Sequence, residues 1–331
     1  MRGAVLHQGA LGDFLLALPV IEGISRAIPR LEFDFWSRPQ HLRLLHSKPY
    51  VASTHDCWGR DWMFLFQEDR PPEDPPLPPG LEQAQCLFLF GRALSSTVPE
   101  RLKSRINAAV YWLQSFPDEG YGRHATDFIA DQARALGLPL VMGPLTLAAD
   151  PGEVAAVRER LRLPEASAGQ SILAVHPGSG GIRKVWPLSR WGVLLHRLRE
   201  ERNVWPFLIL GPADEKIAPL IHALAASLGI PVVQDLELPG LAALLSLCDL
   251  YVGNDSGATH LAAAMGTPVV GVFGPTDPEV WAPRGDHVRV FRDQWEAGEV
   301  LDLRATAAGS RSAATLAAVV GAELAERRSR R

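Results

Sequence analysis

Short apolar runs alternate along this chain with longer stretches in which apolar residues recur at helical spacing. The apolar runs are typical of strands buried in a parallel sheet, and the periodic stretches predict helices between them. The predicted strands are 4–7, 31–36, 86–90, 172–175, 207–210, 250–252 and 269–273, and the predicted helices are 13–27, 124–136, 191–201, 218–228, 241–247, 260–265 and 313–326. This alternation predicts an α/β fold with mostly parallel sheets.

The length of the chain predicts two sheets instead of one. At 331 residues it exceeds what one hydrophobic core usually organises. Several prolines and glycines in 137–152 predict a linker, and the proline-rich segment 71–80 predicts a surface loop. We therefore expect domains at 1–145 and 146–331, with their sheets facing an interdomain cleft and the last helix able to pack back on the first domain. Open α/β sheets bind ligands at the carboxyl ends of their strands, so each domain would hold one substrate.

Composition excludes several classes of protein. The net charge of −4 argues against a general nucleic-acid-binding protein. The three cysteines are widely scattered, without metal-ligand spacing or a disulfide framework, which suits a reducing cytoplasm. No run approaches the roughly 20 apolar residues of a membrane span. The apolar start, 1–7, is too short and too soon broken by Gln8 to predict a secretory signal. We expect a cytoplasmic globular protein.

The first chemical motif, Gly9–Asp13, follows a predicted strand and opens a helix. Its glycines allow a tight turn and close approach of a ligand, so Gly12 is a candidate ligand contact. The third glycine of the dinucleotide fingerprint is missing, and residues 36–38, at the end of the next strand, contain no acidic residue. Asp13 has two open interpretations, since it can cap the helix or present a carboxylate to a ligand.

The second motif follows strand 172–175. The glycine-rich segment 178–181 can wrap phosphates with backbone N–H groups and the Ser179 hydroxyl, and Gly180 adds to this loop. Lys184 then supplies a positive charge for a diphosphate. The alternative is a solvent-exposed lysine on a connecting loop. His176, which precedes the loop, is expected to face the core and hydrogen-bond to backbone.

The third motif is an Asp-Ser-Gly turn at 255–257 between a buried strand and a helix of small residues. Such a turn leaves unpaired N–H groups at the helix start, where the dipole favours an anion. Asp255 could instead only orient the turn, and His260 could be a satisfied interior histidine. The loop 274–277 closes the next strand. The residues nominated here for ligand contact are Asp255, Ser256, Gly257, Thr259, His260 and Thr276.

Two weaker features remain. Glu215 follows strand 207–210 and could accept hydrogen bonds from ribose hydroxyls, although capping by Asp214 explains the same segment equally well. The basic tail 327–331 is interpreted as a frayed, solvated end. The basic and aromatic residues of 101–113 are interpreted instead as a surface for anionic lipid.

Together these motifs resemble glycosyltransferase family 9, the ADP-heptose:lipopolysaccharide heptosyltransferases. The resemblance rests on Gly9–Asp13 with Pro19, on His176–Ser179 with Lys184–Pro187 and Trp191, and on 254–260 with 271–278. It covers about residues 1–290 in order and spacing. It implies the GT-B architecture, two Rossmann-like domains with the acceptor in the first and the nucleotide sugar in the second. It also implies an inverting transfer of heptose from ADP-heptose to a lipopolysaccharide inner-core acceptor.

The same resemblance implies roles for single residues. Asp13 would be the general base, and Lys184 with the 256–260 segment would hold the leaving diphosphate. Since no Asp-x-Asp metal cradle occurs in the sequence, no obligatory metal or cofactor is expected. The acceptor would be a lipid-linked saccharide, with peripheral contact at the inner face of the cytoplasmic membrane. The family's acceptor-side sequence has no clear counterpart around 90–104, which leaves the acceptor open.

Two alternatives stay open. One keeps the fold with another nucleotide sugar as donor, and the other is a catalytically silent nucleotide-sugar-binding protein. Retention of both Asp13 and Lys184 argues against the silent protein, and the incomplete fingerprint argues against an NAD-dependent oxidoreductase.

Overall fold

The structure is a computed structural model that describes residues 1–58, 62, 77–91, 97–118, 120–163, 169–201, 203–304 and 306–329. The chain forms two compact units, Met1–Leu145 and Thr146–Arg331. Most of the loop predicted at 71–80 lies outside the described residues, which resume at position 77.

The described residues of the first unit form a five-stranded parallel sheet with the order β3-β2-β1-β4-β5. Its strands are β1 (Arg2–His7), β2 (Glu32–Ser37), β3 (Val51–Asp56), β4 (Cys86–Gly91) and β5 (Ala109–Gln114). Its helices are α1 (Leu11–Ala27), α2 (Pro39–Leu42), α3 (Thr97–Lys103) and α4 (Ala125–Ala135), with 3-10 turns at Arg43–Leu45 and Leu81–Gln83. Helix α1 buries Phe14, Leu18 and Ile21 completely or almost completely, and each such side chain contributes about 1.5–3 kcal/mol.

The second unit contains a six-stranded parallel sheet with the order β11-β10-β9-β6-β7-β8. Its strands are β6 (Ser171–His176), β7 (Val204–Ile209), β8 (Val232–Val233), β9 (Leu250–Asn254), β10 (Val269–Phe273) and β11 (Val288–Arg292). Its helices are α5 (Pro151–Leu161), α6 (Leu188–Glu200), α7 (Ala218–Leu228), α8 (Leu238–Ser246), α9 (Gly257–Ala264), α10 (Pro278–Trp281) and α11 (Ala307–Ser329), with 3-10 turns at Ile182–Lys184, Pro212–Asp214 and Ala297–Glu299. The predicted α/β class with parallel sheets is confirmed.

Both sheets have the Rossmann strand order, in which successive strands run outward in two directions from a central pair. The central pair is β1 and β4 in the first sheet and β6 and β9 in the second. At such a switch point the loops after the two strands diverge and leave a crevice for a ligand. The second and third motifs therefore lie side by side, because they follow β6 and β9.

In the second unit, the predicted linker and the predicted frayed tail were wrong where helices were found. Helix α5 begins at Pro151, inside the predicted linker, because Asp150 caps it through the N–H groups of Gly152 and Glu153. Helix α11 continues through Arg327, which pairs with Glu323 at 3.7 Å, so residues 327–329 are helical and not frayed. Residues 330 and 331 lie outside the described residues. Helix α11 packs against α6 of its own unit. Among the described helices, none is long and apolar enough to cross a membrane.

The segment interpreted as a lipid surface belongs largely to the first sheet. Tyr111 stacks on Phe88 with ring centroids 5.1 Å apart, and Leu113 is fully buried. Trp112 lies against Gly91, where a Cβ would come within 2.7 Å of its ring. Tyr111 and Trp112 are half-buried, so the sheet takes up a large part of the apolar surface of 111–113. Lipid contact by 101–113 stays a prediction.

The three cysteines, Cys57, Cys86 and Cys248, are free thiols and all are buried. Burial raises the pKa of the Cys57 and Cys86 thiols to about 11 and also raises the pKa of Cys248. The first two lie in the first unit and the third in the second unit.

Candidate functional site

The loop after β6 is fixed to the end of β9 by a buried asparagine. Asn254, the last residue of β9, donates from Nδ2 to the Pro177 carbonyl at 2.6 Å, and its Oδ1 accepts from the Trp186 N–H at 3.1 Å. The Ser179 hydroxyl donates to the Asp255 carbonyl at 2.7 Å. These hydrogen bonds therefore hold the second and third motifs against each other. Asn254 lies in the segment 254–260 that carries the family resemblance, but its bracing role could not be predicted from the sequence, because its partners lie 77 and 68 positions away along the chain.

Two candidate residues meet at the carboxylate of a third, Asp255. Lys184 Nζ lies 2.7 Å from Asp255 Oδ2, and the Thr276 hydroxyl donates to the same oxygen at 2.8 Å. The Asp255 side chain is 7% exposed and the Lys184 side chain 39% exposed. Lys184 is therefore not an isolated surface lysine, and the Asp255 carboxylate binds side chains from the two neighbouring loops. A bound anion would compete with Asp255 for the ammonium group.

The N-terminus of α9 supplies backbone donors beside this cluster. Ser256 is the N-cap residue, and its hydroxyl accepts from the Thr259 N–H at 3.4 Å. Ser256 and Gly257 are half-buried at the surface, whereas Thr259 and His260 are buried. The Thr259 hydroxyl donates to the Asn254 carbonyl. Ser256 and the first N–H groups of α9 can thus reach an anion directly, whereas the Thr259 side chain supports the turn from inside.

A cavity of about 200 Å³ lies beside the loop after β6. Ser179, Gly180 and Glu215 all line it, so three candidates from two separate loops share one cavity. Asp214 has the capping role that competed with Glu215 for this segment, because its Oδ2 accepts the Gly211 N–H at 2.7 Å. The two assignments are compatible, since Asp214 is buried and Glu215 is exposed.

The hydrogen-bond partners of His176 differ from those expected. Its Nε2 lies 2.9 Å from Asp214 Oδ2, and its Nδ1 lies 3.3 Å from both the Tyr251 and the Ser256 hydroxyl oxygens. The sequence predicted backbone partners, but the partners found are a carboxylate and two hydroxyl groups. Burial alone would raise the pKa of Asp214, yet the hydrogen bonds from the His176 ring and from the Gly211 N–H lower that pKa below the usual value.

Asp13 lies in the first turn of α1 but is not its N-cap. Helix α1 begins at Leu11 with Ala10 as N-cap, and Asp13 Oδ2 accepts the Ala10 N–H at 3.1 Å. The carboxylate thus reaches back from the third helical position, which corrects the predicted start of the helix at Asp13. Gly12 lies beside it in the same turn and is half-buried. Asp13 therefore satisfies a helix-terminal N–H group while remaining partly exposed.

Two buried histidines lie behind this turn. His7 ends β1 and packs edge-on against Phe14, and His41 stacks on the same ring. Burial lowers the pKa of His7 to about 3 and that of His41 to about 4, so both rings are neutral at physiological pH. A Cβ at Gly9 would lie 2.8 Å from the His7 ring and 3.1 Å from Asp13. Glycine is therefore required where the turn passes between them.

Known proteins resemble this chain along most of its length. The sequence is 27% identical over 296 residues to lipopolysaccharide heptosyltransferase 1 of Pseudomonas aeruginosa, covering 84% of this chain and 80% of the relative. It is 23% identical over 295 residues to lipopolysaccharide heptosyltransferase 3 of Escherichia coli, covering 85% of each chain.

The fold of this chain also resembles the folds of solved structures. Escherichia coli heptosyltransferase WaaC, solved with ADP, superimposes with a TM-score of 0.64 at 19% identity, covering 98% of this chain and 100% of that chain. This likeness and the two parallel Rossmann-like sheets of the chain together assign the GT-B fold class. The model of glycosyltransferase family 9 (heptosyltransferase) matches residues 128–305, which is more than half of the chain and includes the second and third motifs. The chain therefore belongs to glycosyltransferase family 9 and is a glycosyltransferase.

Proposed function

We propose that this protein transfers heptose from ADP-heptose to a lipopolysaccharide inner-core acceptor with inversion at the anomeric carbon. The relatives named above are lipopolysaccharide heptosyltransferases, and one solved relative was obtained with ADP. The observation that carries the proposal is the cluster of Lys184, Asp255 and Thr276 beside the N-terminus of α9. It combines a cation and the N–H donors of a helix start at a switch point, which is the chemistry that a diphosphate requires.

The donor would bind in the second unit. The N–H groups at the start of α9 and the Ser256 hydroxyl would contact the diphosphate, and Lys184 would turn from Asp255 toward its oxygens. Glu215, at the rim of the cavity beside Ser179, would accept hydrogen bonds from the ribose hydroxyls. His260 stays a candidate for diphosphate contact from the first turn of α9. This assignment gives residues 146–331 the nucleotide sugar and residues 1–145 the acceptor.

The chemical step would be a single displacement. The acceptor hydroxyl oxygen forms a bond to the anomeric carbon while the bond from that carbon to the diphosphate oxygen breaks, and the electron pair leaves with ADP. Asp13 takes the proton from the acceptor hydroxyl. Lys184 and the helix dipole stabilise the negative charge that develops on the leaving diphosphate. Because side chains and backbone supply this stabilisation, we propose that the reaction needs no metal ion.

The acceptor in this proposal is a lipid-linked saccharide, so the protein would work at the inner face of the cytoplasmic membrane. The aromatic residues of β5 contribute little to such a contact because they pack in the sheet. Lys103 at the end of α3 is exposed and offers a positive charge for anionic lipid headgroups.

A nucleotide panel tests the donor. We expect ADP and ADP-heptose to raise the melting temperature selectively over UDP, GDP and NAD, and hydrogen exchange to slow in 178–184 and 255–260. Selective binding of UDP or GDP would replace the proposed donor with another nucleotide sugar. Protection confined to the first unit would contradict the assignment of substrates to units. Tight ADP binding without transfer to any lipopolysaccharide core acceptor would favour a silent binding protein.

A further inference from the structure

We propose that the buried His176–Asp214 pair couples the ribose end of the donor site to its diphosphate end. The inference rests on the proposed function, since it assumes that a nucleotide diphosphate occupies the loops after β6, β7 and β9. His176 ends β6, Asp214 lies in the turn after β7, and Ser256 caps the helix after β9. One imidazole ring at the end of β6 therefore contacts the turns that follow two other strands of the sheet.

Each nitrogen of this ring contacts a different turn. Nε2 faces Asp214 Oδ2 at 2.9 Å, and that oxygen also accepts the Gly211 N–H. Nδ1 faces the hydroxyl groups of Ser256 and Tyr251, both at 3.3 Å. His176 and Asp214 are 6% and 2% exposed. Water has little access to replace these bonds, so loss of one partner leaves the others unsatisfied in a medium of low dielectric constant.

The hydroxyl groups around His176 determine which hydrogen bond its Nδ1 can make. Thr259 donates its proton to the Asn254 carbonyl, so its oxygen can only accept from its neighbours. Ser256 and Tyr251 each lie 3.1 Å from that oxygen, and each also faces His176 Nδ1. With Nε2–H donating to Asp214, the Nδ1 of a neutral ring accepts from one hydroxyl while Thr259 accepts from the other. Without the imidazole, both hydroxyl groups would have to share the Thr259 oxygen, and the Ser256 cap of α9 would lose one of its buried partners.

The pair also fixes both walls of the cavity. A Cβ at Gly178 would lie 1.8 Å from Asp214 Oδ1, so the carboxylate is seated directly on the backbone of this glycine. Ser179 follows Gly178, Glu215 follows Asp214, and both line the same cavity. A displaced Asp214 would therefore move the candidate ribose ligand and the phosphate loop together. Lys184 pairs with Asp255, outside the bonds that His176 and Asp214 make, so we expect weaker nucleotide binding and not a slower chemical step.

Two variants test this expectation, His176→Gln and Asp214→Asn. We expect the Kd for ADP and the KM for the ADP-sugar donor to rise about tenfold, as for loss of a buried hydrogen bond, and kcat to change less than about threefold. His222→Gln is the matched control, because this exposed histidine of α7 contacts only Gln234 among the hydrogen-bond partners found in the described residues. An unchanged Kd and KM, or an equal fall in kcat, would overturn the proposal. Absence of ADP binding by the wild-type protein would instead defeat the proposed function.

A double-mutant cycle separates coupling from general loosening. ADP affinity is measured for His176→Gln, Ser256→Ala and Glu215→Gln, and for His176→Gln combined with each of the others, with melting temperatures on the same samples. We expect both combinations to depart from additivity by about threefold or more, as members of one network do. Additive effects in both cycles would show that His176 only supports the fold and would overturn the proposal. If His176→Gln does not fold, the same cycles run from Asp214→Asn decide the question.

Discussion

Substitution of Lys184 by alanine separates its role in the structure from its role in catalysis. The change removes the ammonium group 2.7 Å from Asp255 Oδ2 and leaves the Thr276 hydroxyl on the same oxygen. Because the lysine side chain is 39% exposed, solvent screens the pair, and the free energy of unfolding should fall by no more than about 1 kcal/mol. The melting temperature should then fall by no more than about 2–4 °C.

The effect on the reaction should be much larger. The leaving diphosphate gains negative charge as the glycosidic bond breaks, and a pre-placed charge that stabilises such a transition state is typically worth about 2–4 kcal/mol. We therefore expect kcat/KM to fall about thirtyfold to nearly a thousandfold in Lys184→Ala. Lys184→Arg should retain part of the rate, because it keeps the charge but presents it from a planar group.

ADP release should be followed over a range of donor concentrations at saturating acceptor, so that kcat/KM is obtained, with the melting temperature measured on the same preparation. Arg304→Ala serves as control, since Arg304 forms an exposed ion pair with Asp302 at 3.3 Å and we assign it no part in the donor site. We expect the control to retain both turnover and stability. Normal turnover in Lys184→Ala would refute our argument and leave the lysine only as a partner of Asp255.

Three further outcomes are expected. Asp13→Asn should retain its melting temperature, because the amide oxygen can still accept the Ala10 N–H. Its turnover should fall about 10²–10⁴-fold, as for a lost general base. An active, folded variant would remove Asp13 from the mechanism. Transfer should survive EDTA, and a complete loss restored by Mg²⁺ or Mn²⁺ would contradict a metal-free reaction. Because the folded protein keeps His7 and His41 neutral down to pKa values of about 3 and 4, the unfolded chain binds protons first, from about pH 6.5 downward. The free energy of unfolding should therefore fall between about pH 6.5 and 4, by up to about 1.4 kcal/mol per pH unit for each histidine; His41→Phe should reduce that slope in thermal melts, and an unchanged slope would count against the assignment.

The fold could be predicted where burial leaves a clear pattern. Strands β6 and β9 lie inside the sheet and appear in the sequence as continuous apolar runs. Strands β3 and β11 lie at sheet edges, are largely half-buried or exposed, and contain several polar residues, so their sequences do not distinguish them from loops. Strand β8 has only two residues and is too short for any periodicity.

Local chemistry could be predicted in the site, and distant pairing could not. The turn at 255–257 and the helix that follows it could be predicted, because the turn residues and the helix start are adjacent in sequence. The bond between His176 and Asp214 joins residues 38 positions apart and depends on how β6 and β7 align. The same holds for Asn254, whose partners lie far away in the 177–186 segment. The residues at one strand end do not specify such partners, because the pairing of strands in the sheet determines which strand ends become neighbours.

The buried cysteines make the two units separately observable in solution. Only the thiolate reacts with alkylating reagents, and thiols with pKa values of about 11 are ionised to about one part in a thousand at pH 8. Modification therefore requires the surrounding structure to open. Cys57 and Cys86 report opening of the first unit, and Cys248 reports opening of the second. Peptide-resolved labelling rates with and without nucleotide would thus measure how much of the binding free energy reaches each half of the chain.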